Sequence, residues 1–178
     1  MAYDFSTVTV LLADDNDAMR KLMAAMLSEF GFGKIITARN GKEAFEKFQE
    51  ERPDIIVSDW MMNPVSGIEL AKMIRNDHKS PDPYVPFILM TGFSEKRRVL
   101  FARDSGITEF MVKPFSALDL YKRIRTVIEH PREFVKSVDF FGPDRRRKLP
   151  EDYEGPFRRS ADDDVDVEKG KFEVDVSG

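Results

Sequence analysis

The chain contains no cysteine, which removes disulfides, thiolate metal sites and cysteine nucleophiles together. Its two histidines, His78 and His130, have no second ligand at metal spacing, so both are expected to be solvated. No apolar run approaches the ~20 residues needed to span a bilayer, and no membrane role is expected. Met1 to Ser6 includes Asp4 and no basic stretch, so no secretory signal is read there. A net charge of −4 argues against nucleic-acid binding by overall charge, leaving only local basic patches. These absences fit a soluble protein of a reducing compartment, the cytoplasm. What is present is a hydrophobic fraction of 42%, sufficient for a packed core, in 178 residues. That length holds one ordinary domain and a short appendage.

Residues 7–130 alternate between two periodicities. Thr7 to Ala13 is a short apolar run of the kind a buried parallel strand presents. Asp17 to Phe30 places Met19, Leu22, Met23, Met26, Leu27 and Phe30 at helical spacing, and Gly31 follows as a stop. Lys34 to Ala38 reads as a second strand, and Asn40 can cap a helix running to about Glu51. After Pro53, Ile55 to Val57 form a third strand that leads directly into Asp59. A helix from Ser66 to Asn76, a strand over Phe87 to Met90 and a helix over 95–105 are predicted next. A strand over Thr108 to Val112 and a helix from Ala117 to Glu129 complete the series. Five strands alternating with five helices predict right-handed crossovers and a doubly wound parallel sheet covered by helices on both faces.

After Pro131 the character changes. Residues 131–160 are rich in Pro, Gly and Arg and show no sustained period. Gly142-Pro-Asp-Arg145-Arg146 is echoed by Gly155-Pro-Phe-Arg158-Arg159. Residues 162–178 are acidic, and the alternating valines over 165–176 predict a short hairpin. The reading is thus a domain over 7–130 and a tail over 131–178, too short and irregular for a helix-turn-helix or catalytic domain.

The strand ends carry the chemistry. The first strand delivers Asp14 and Asp15, the third Asp59, the fourth Thr91 and the fifth Lys113. In a parallel sheet these ends meet on one edge, where ligands of such folds bind. Clustered carboxylates repel unless a cation joins them, and an all-oxygen set suits Mg²⁺. A metal there neutralises charge in phosphoryl transfer, and Asp59 is placed to be the nucleophile. Thr91 and Lys113 can each engage a phosphoryl oxygen.

Asp14-Asp15, Asp59, Gly67 eight residues later, Thr91-Gly92 and Phe110-Met-Val-Lys113-Pro114-Phe115 together resemble the receiver family of two-component response regulators. The resemblance covers about residues 7–130. It implies a flavodoxin-like three-layer fold and phosphorylation of Asp59 by a histidine kinase or histidine phosphotransfer protein. It implies that Asp15, Asp59 and the backbone carbonyl of Met61 hold Mg²⁺ directly, with Asp14 acting through water. It further implies a cis bond at Lys113–Pro114, a switch at Phe110, and a partner face including Val99, Arg103, Tyr121 and Lys122. The chain departs from the family pattern at Asn63-Pro64, where the proline is displaced by one position. It also departs in having Met61 and Phe93 at positions that are polar in many relatives, and Phe110 where tyrosine is common.

Each reading has an ordinary competitor. The three aspartates could be solvated turn carboxylates, but five motifs in order at strand ends outweigh that. Asp15-Asn-Asp17 offers a D-x-D, yet lacks the residues that continue phosphatase or calcium-loop motifs. Phe110 could simply be core. Arg145, Arg146, Arg158 and Arg159 suit carboxylate or phosphate recognition, or could be a solvated tail. The expected function is a stand-alone adaptor or phosphorelay switch, not an enzyme acting on other substrates. The alternative is a nucleic-acid-binding regulator that uses the arginine-rich tail.

Overall fold

The computed structural model describes residues 4–92, 105–137, 140–144 and 166–168. Their elements run β1 (Thr9–Ala13), α1 (Asp17–Glu29), β2 (Lys34–Ala38), α2 (Gly41–Glu51), β3 (Ile55–Asp59), α3 (Gly67–Asn76), β4 (Phe87–Thr91), β5 (Glu109–Val112) and α4 (Ala117–Glu129). The helix expected over 95–105 falls outside the described residues except for Ser105.

The five strands form one sheet in the order β2-β1-β3-β4-β5, with every neighbouring pair parallel. Alternation of side chains along each strand sorts the core into two layers. Leu11, Ile56, Phe87 and Leu89 face a cluster that includes Ala44, Phe48, Ile68 and Ile74 of α2 and α3. Val10, Leu12, Val57, Ile88 and Met90 face Met23 and Leu27 of α1 and Leu120 and Ile124 of α4. The strands read as unbroken apolar runs because both faces are covered.

Polar side chains mark the helix starts. Asn16 and Asn40 accept from the backbone N–H of Met19 and Glu43 at 3.0 and 2.9 Å. Ser66 with Glu69, and Ser116 with Asp119, form reciprocal capping boxes. These fix where each helix begins, and so the length of each loop at the carboxyl edge of the sheet.

Residues after α4 depart from the expectation of irregular chain. β6 (Phe134–Ser137) and β7 (Phe140–Pro143) pair antiparallel, and β8 (Asp166–Glu168) adds to the other side of β6. The sequence pattern missed this because the two longer strands have four residues each, too short for a periodic signal. Their order comes from distant partners: Phe134 and Phe141 pack edge-to-face against Tyr84, with ring centroids 5.1 and 5.4 Å away. Of the hairpin expected over 165–176, Asp166–Glu168 pairs with β6, and the rest lies outside the described residues.

Candidate functional site

The sheet's register brings the reactive residues to one edge. Ala13 is opposite Ser58, Asp59 opposite Met90 and Thr91 opposite Val112. Asp14, Asp59, Thr91 and Lys113 are therefore level at the carboxyl ends of four adjacent strands. The order reverses at β1, which lies between β2 and β3, so the pocket stands at the topological switch point.

Asp14 and Asp59 are buried, whereas Asp15 is exposed. One carboxylate oxygen from each of Asp14, Asp15 and Asp59 lies within 4.8 Å of the others. Asp14 is well fastened: its Oδ1 accepts from Asn16 N–H at 2.8 Å, and its carbonyl accepts from the Arg20 guanidinium at 2.8 Å. Arg20 also pairs with Asp17 at 2.6 Å, pinning the turn between β1 and α1. Sequence reasoning missed Arg20, since an arginine in the first turn of a helix has the ordinary look of a solvated charge.

Asp59 receives two donors. Lys113 Nζ lies 2.7 Å from Oδ1, and Met61 N–H donates to Oδ2 at 3.1 Å. Burial raises the Asp59 carboxyl above its usual range; Lys113 works against this without cancelling it, and Asp14 adds to the rise. For Lys113, burial acts to lower the ammonium, but the bonds to Asp59 and the charges of Asp59 and Asp14 prevail, and it is raised. Lys113 N–H also donates to the Thr91 carbonyl at 2.7 Å, tying β5 to β4 beside the pocket.

The loop after Asp59 is held close. Gly67 N–H donates to the Trp60 carbonyl at 3.0 Å. A side chain at Gly67 would overlap the carbonyl oxygen of Asp59 and approach Leu89 Cδ1 to 2.8 Å, so only glycine lets α3 start there. The bonds at Asn63–Pro64 and Lys113–Pro114 are both cis. Phe110 is half-buried and packs on the α2–α3 side of the core, as does Trp60.

The remaining expected residues scatter. Tyr121 turns its ring onto Phe5 and Phe30, with centroids at 6.1 and 5.4 Å, while Lys122 is exposed. Met61 is exposed at the rim of the pocket. Val99, Arg103, Arg145, Arg146, Arg158 and Arg159 lie outside the described residues.

Three clustered carboxylates with one ammonium leave an excess of negative charge on oxygen donors alone. Such a set fits a hard divalent cation of the Mg²⁺ type.

A parallel five-stranded sheet with an acidic triad and a lysine at its carboxyl edge defines a receiver-type architecture. Residues 10–125 match the response regulator receiver domain family, and the chain belongs to it. It is 29% identical over 102 residues to the chemotaxis protein CheY1 of Helicobacter pylori, covering 57% of this chain and 81% of that one. It is 31% identical over 102 residues to the phosphate regulon transcriptional regulatory protein PhoB of Pseudomonas aeruginosa, covering 57% of this chain and 43% of that protein. The solved structure of the chemotaxis response regulator CheY4 of Vibrio cholerae aligns with a TM-score of 0.62 at 29% identity, covering 67% of this chain and 98% of that one. Receiver domains are signalling modules of two-component systems that work with histidine kinases or phosphotransfer proteins. Among the described residues no helix is long and apolar enough to cross a membrane.

Proposed function

We propose that this receiver is switched by phosphorylation of Asp59. The phosphoryl group comes from a phosphohistidine of a histidine kinase or histidine phosphotransfer protein. The P–N bond breaks as a P–O bond forms to an Asp59 carboxylate oxygen, and the imidazole keeps the electron pair and takes up a proton. The observation that carries this reading is Asp59 itself: a buried carboxylate raised by its surroundings, between two further aspartates and a lysine.

Asp15, Asp59 and the carbonyl of Met61 would hold Mg²⁺, with Asp14 supporting through water. Bound there, the cation supplies positive charge against the phosphoryl oxygens. Lys113 exchanges its contact with Asp59 for one with a phosphoryl oxygen, and Thr91 donates its hydroxyl to another. Phe110 then changes its packing, and the surface around β5 and α4 presents a different face. Exposed Val112, Leu118 and Lys122 lie along that face. The shift is one of populations between existing states.

The protein acts in the cytoplasm as an adaptor or phosphorelay intermediate, through protein–protein contacts. Arg145, Arg146, Arg158 and Arg159 supply a basic tail that docks on an acidic surface. The test is direct: incubation with Mg²⁺ and acetyl phosphate should add one phosphoryl group by intact mass, and Asp59→Asn should abolish it. Undiminished acid-labile phosphate on Asp59→Asn would reassign the acceptor.

A further inference from the structure

Arg75, in the last turn of α3, is a cation almost wholly withdrawn from solvent. It sits at the amino-terminal end of the sheet, opposite the aspartate pocket. Its Nε donates to the Gly106 carbonyl at 2.9 Å and its Nη1 to the Pro83 carbonyl at 2.6 Å, while Nη2 reaches Thr108 Oγ1 at 3.5 Å. Burial pulls its pKa down to about 9, with Asp82 opposing, so it remains charged at neutral pH. The face of the guanidinium is covered by Phe134 of β6, 5.0 Å from the ring centroid.

The hairpin of β6 and β7 thus grips the residues that lead into β5. A side chain at Gly142 would come 3.0 Å from Gly106 Cα, so the backbones of the hairpin and of the β5 approach are in near contact. Arg132, just before β6, pairs with Glu109, the first residue of β5, at 2.5 Å. At the other end of β5, Lys113 is paired with Asp59. From Thr108 to Lys113 is five residues of extended chain, about 16 Å.

We propose that the paired strands Phe134–Ser137 and Phe140–Pro143 are a latch on β5, docked while Lys113 is paired with Asp59 and loosened when Asp59 is phosphorylated. The proposal rests on the phosphoacceptor reading above. Converting Asp59 to an acyl phosphate takes the charge off its carboxylate and places it on phosphoryl oxygens farther along the side chain. Lys113 must follow that charge. β5 is a short extended strand, so a displacement of Lys113 is passed along its backbone to its amino end, where Arg75 and the hairpin hold the residues that lead into it. Docking and phosphorylation therefore oppose each other, and the opposition is reciprocal.

The test uses the full chain with Mg²⁺ and acetyl phosphate, following phosphate occupancy by intact mass and amide exchange over residues 134–143. Exchange there should quicken at least about fivefold on phosphorylation, and should not change in Asp59→Asn treated identically. In the reverse arm, at subsaturating acetyl phosphate, Phe134→Ala with Phe141→Ala should raise the ratio of phosphorylated to unphosphorylated chain by a similar factor. Arg75→Lys, which keeps the charge but loses the fork, should do so more weakly and guards against misfolding of the double variant. Full phosphorylation with unchanged or slower exchange in the hairpin overturns the latch and leaves the site reading intact. Failure of the wild-type chain to take up phosphate overturns the site reading, and the latch falls with it.

Discussion

Lys113 Nζ lies 2.7 Å from Asp59 Oδ1, the ammonium and the carboxylate arriving from β5 and β3 with β4 between them. The pair is incomplete as a neutralisation, because Asp14 is also 3.4 Å from the same ammonium and Asp15 stands close by. One positive charge among three carboxylates leaves the pocket costly as it stands and receptive to a cation.

Asp59→Asn should stabilise the protein at neutral pH, by the roughly 0.5–2 kcal/mol usual for a single stabilising substitution, since it removes a charge whose ionised form the fold disfavours. The sign follows from the raised carboxyl. The penalty is absent below the ordinary value of 3.8 and complete above the raised one. The advantage of asparagine should therefore shrink as pH falls through that window. Urea unfolding of both proteins between neutral and acidic pH measures it.

Lys113→Ala should cost about 3 kcal/mol at neutral pH, because it strands Asp59 and Asp14 without their cation. Lys113 is raised, so the stability it contributes is present below its ordinary value of 10.5 and is lost as pH climbs past the raised one. Millimolar Mg²⁺ should restore part of the loss by supplying charge to the same carboxylates. Unfolding curves with and without Mg²⁺ decide this, and phosphate uptake should persist at a lower rate.

Asp15→Ala should weaken Mg²⁺ binding by at least about tenfold while leaving the fold unchanged, since Asp15 is exposed and packs against nothing the core needs. Trp60 gives the readout: it is the chain's one tryptophan and is adjacent to Asp59. Unchanged affinity in a fluorescence titration would remove Asp15 from the ligand set.

Gly67→Ala should destabilise by about 1–3 kcal/mol, since the added methyl group collides with the Asp59 carbonyl and with Leu89. Relief requires α3 to withdraw from β3, which moves the loop carrying Met61. Phosphorylation should slow along with the loss of stability. Thermal unfolding and the rate of phosphate uptake from acetyl phosphate check both.

The parallel sheet and its pocket were legible in the chain because their signals are local. Each buried strand is an unbroken apolar run, each helix repeats its apolar face several times, and each reactive residue sits at the end of a strand or just beyond it. Once the strands are parallel, Asp14, Asp59, Thr91 and Lys113 must share an edge, whatever the detailed packing. Gly67 was visible as a motif member, but its steric reason, the Asp59 carbonyl, appears only in three dimensions.

Arg75 shows where that legibility ends. It falls on the inner face of α3, four residues after Ala71 and seven after Ile68, but a charge at such a position is not read as core. Its burial is made tolerable by carbonyls from two loops and by the ring of Phe134, from a strand far along the chain. The hairpin has the same character. Phe134, Phe140 and Phe141 sit in strands of four residues, with no repeat to announce them, and gain order from Tyr84, Arg75 and Gly106. The sequence alone determined the layers, the strand order's parallel sense and the reactive edge, because periodicity and strand-end position encode them. Closure of the opposite end of the sheet by the tail emerges only on folding, because it consists of contacts between segments too short to carry a pattern.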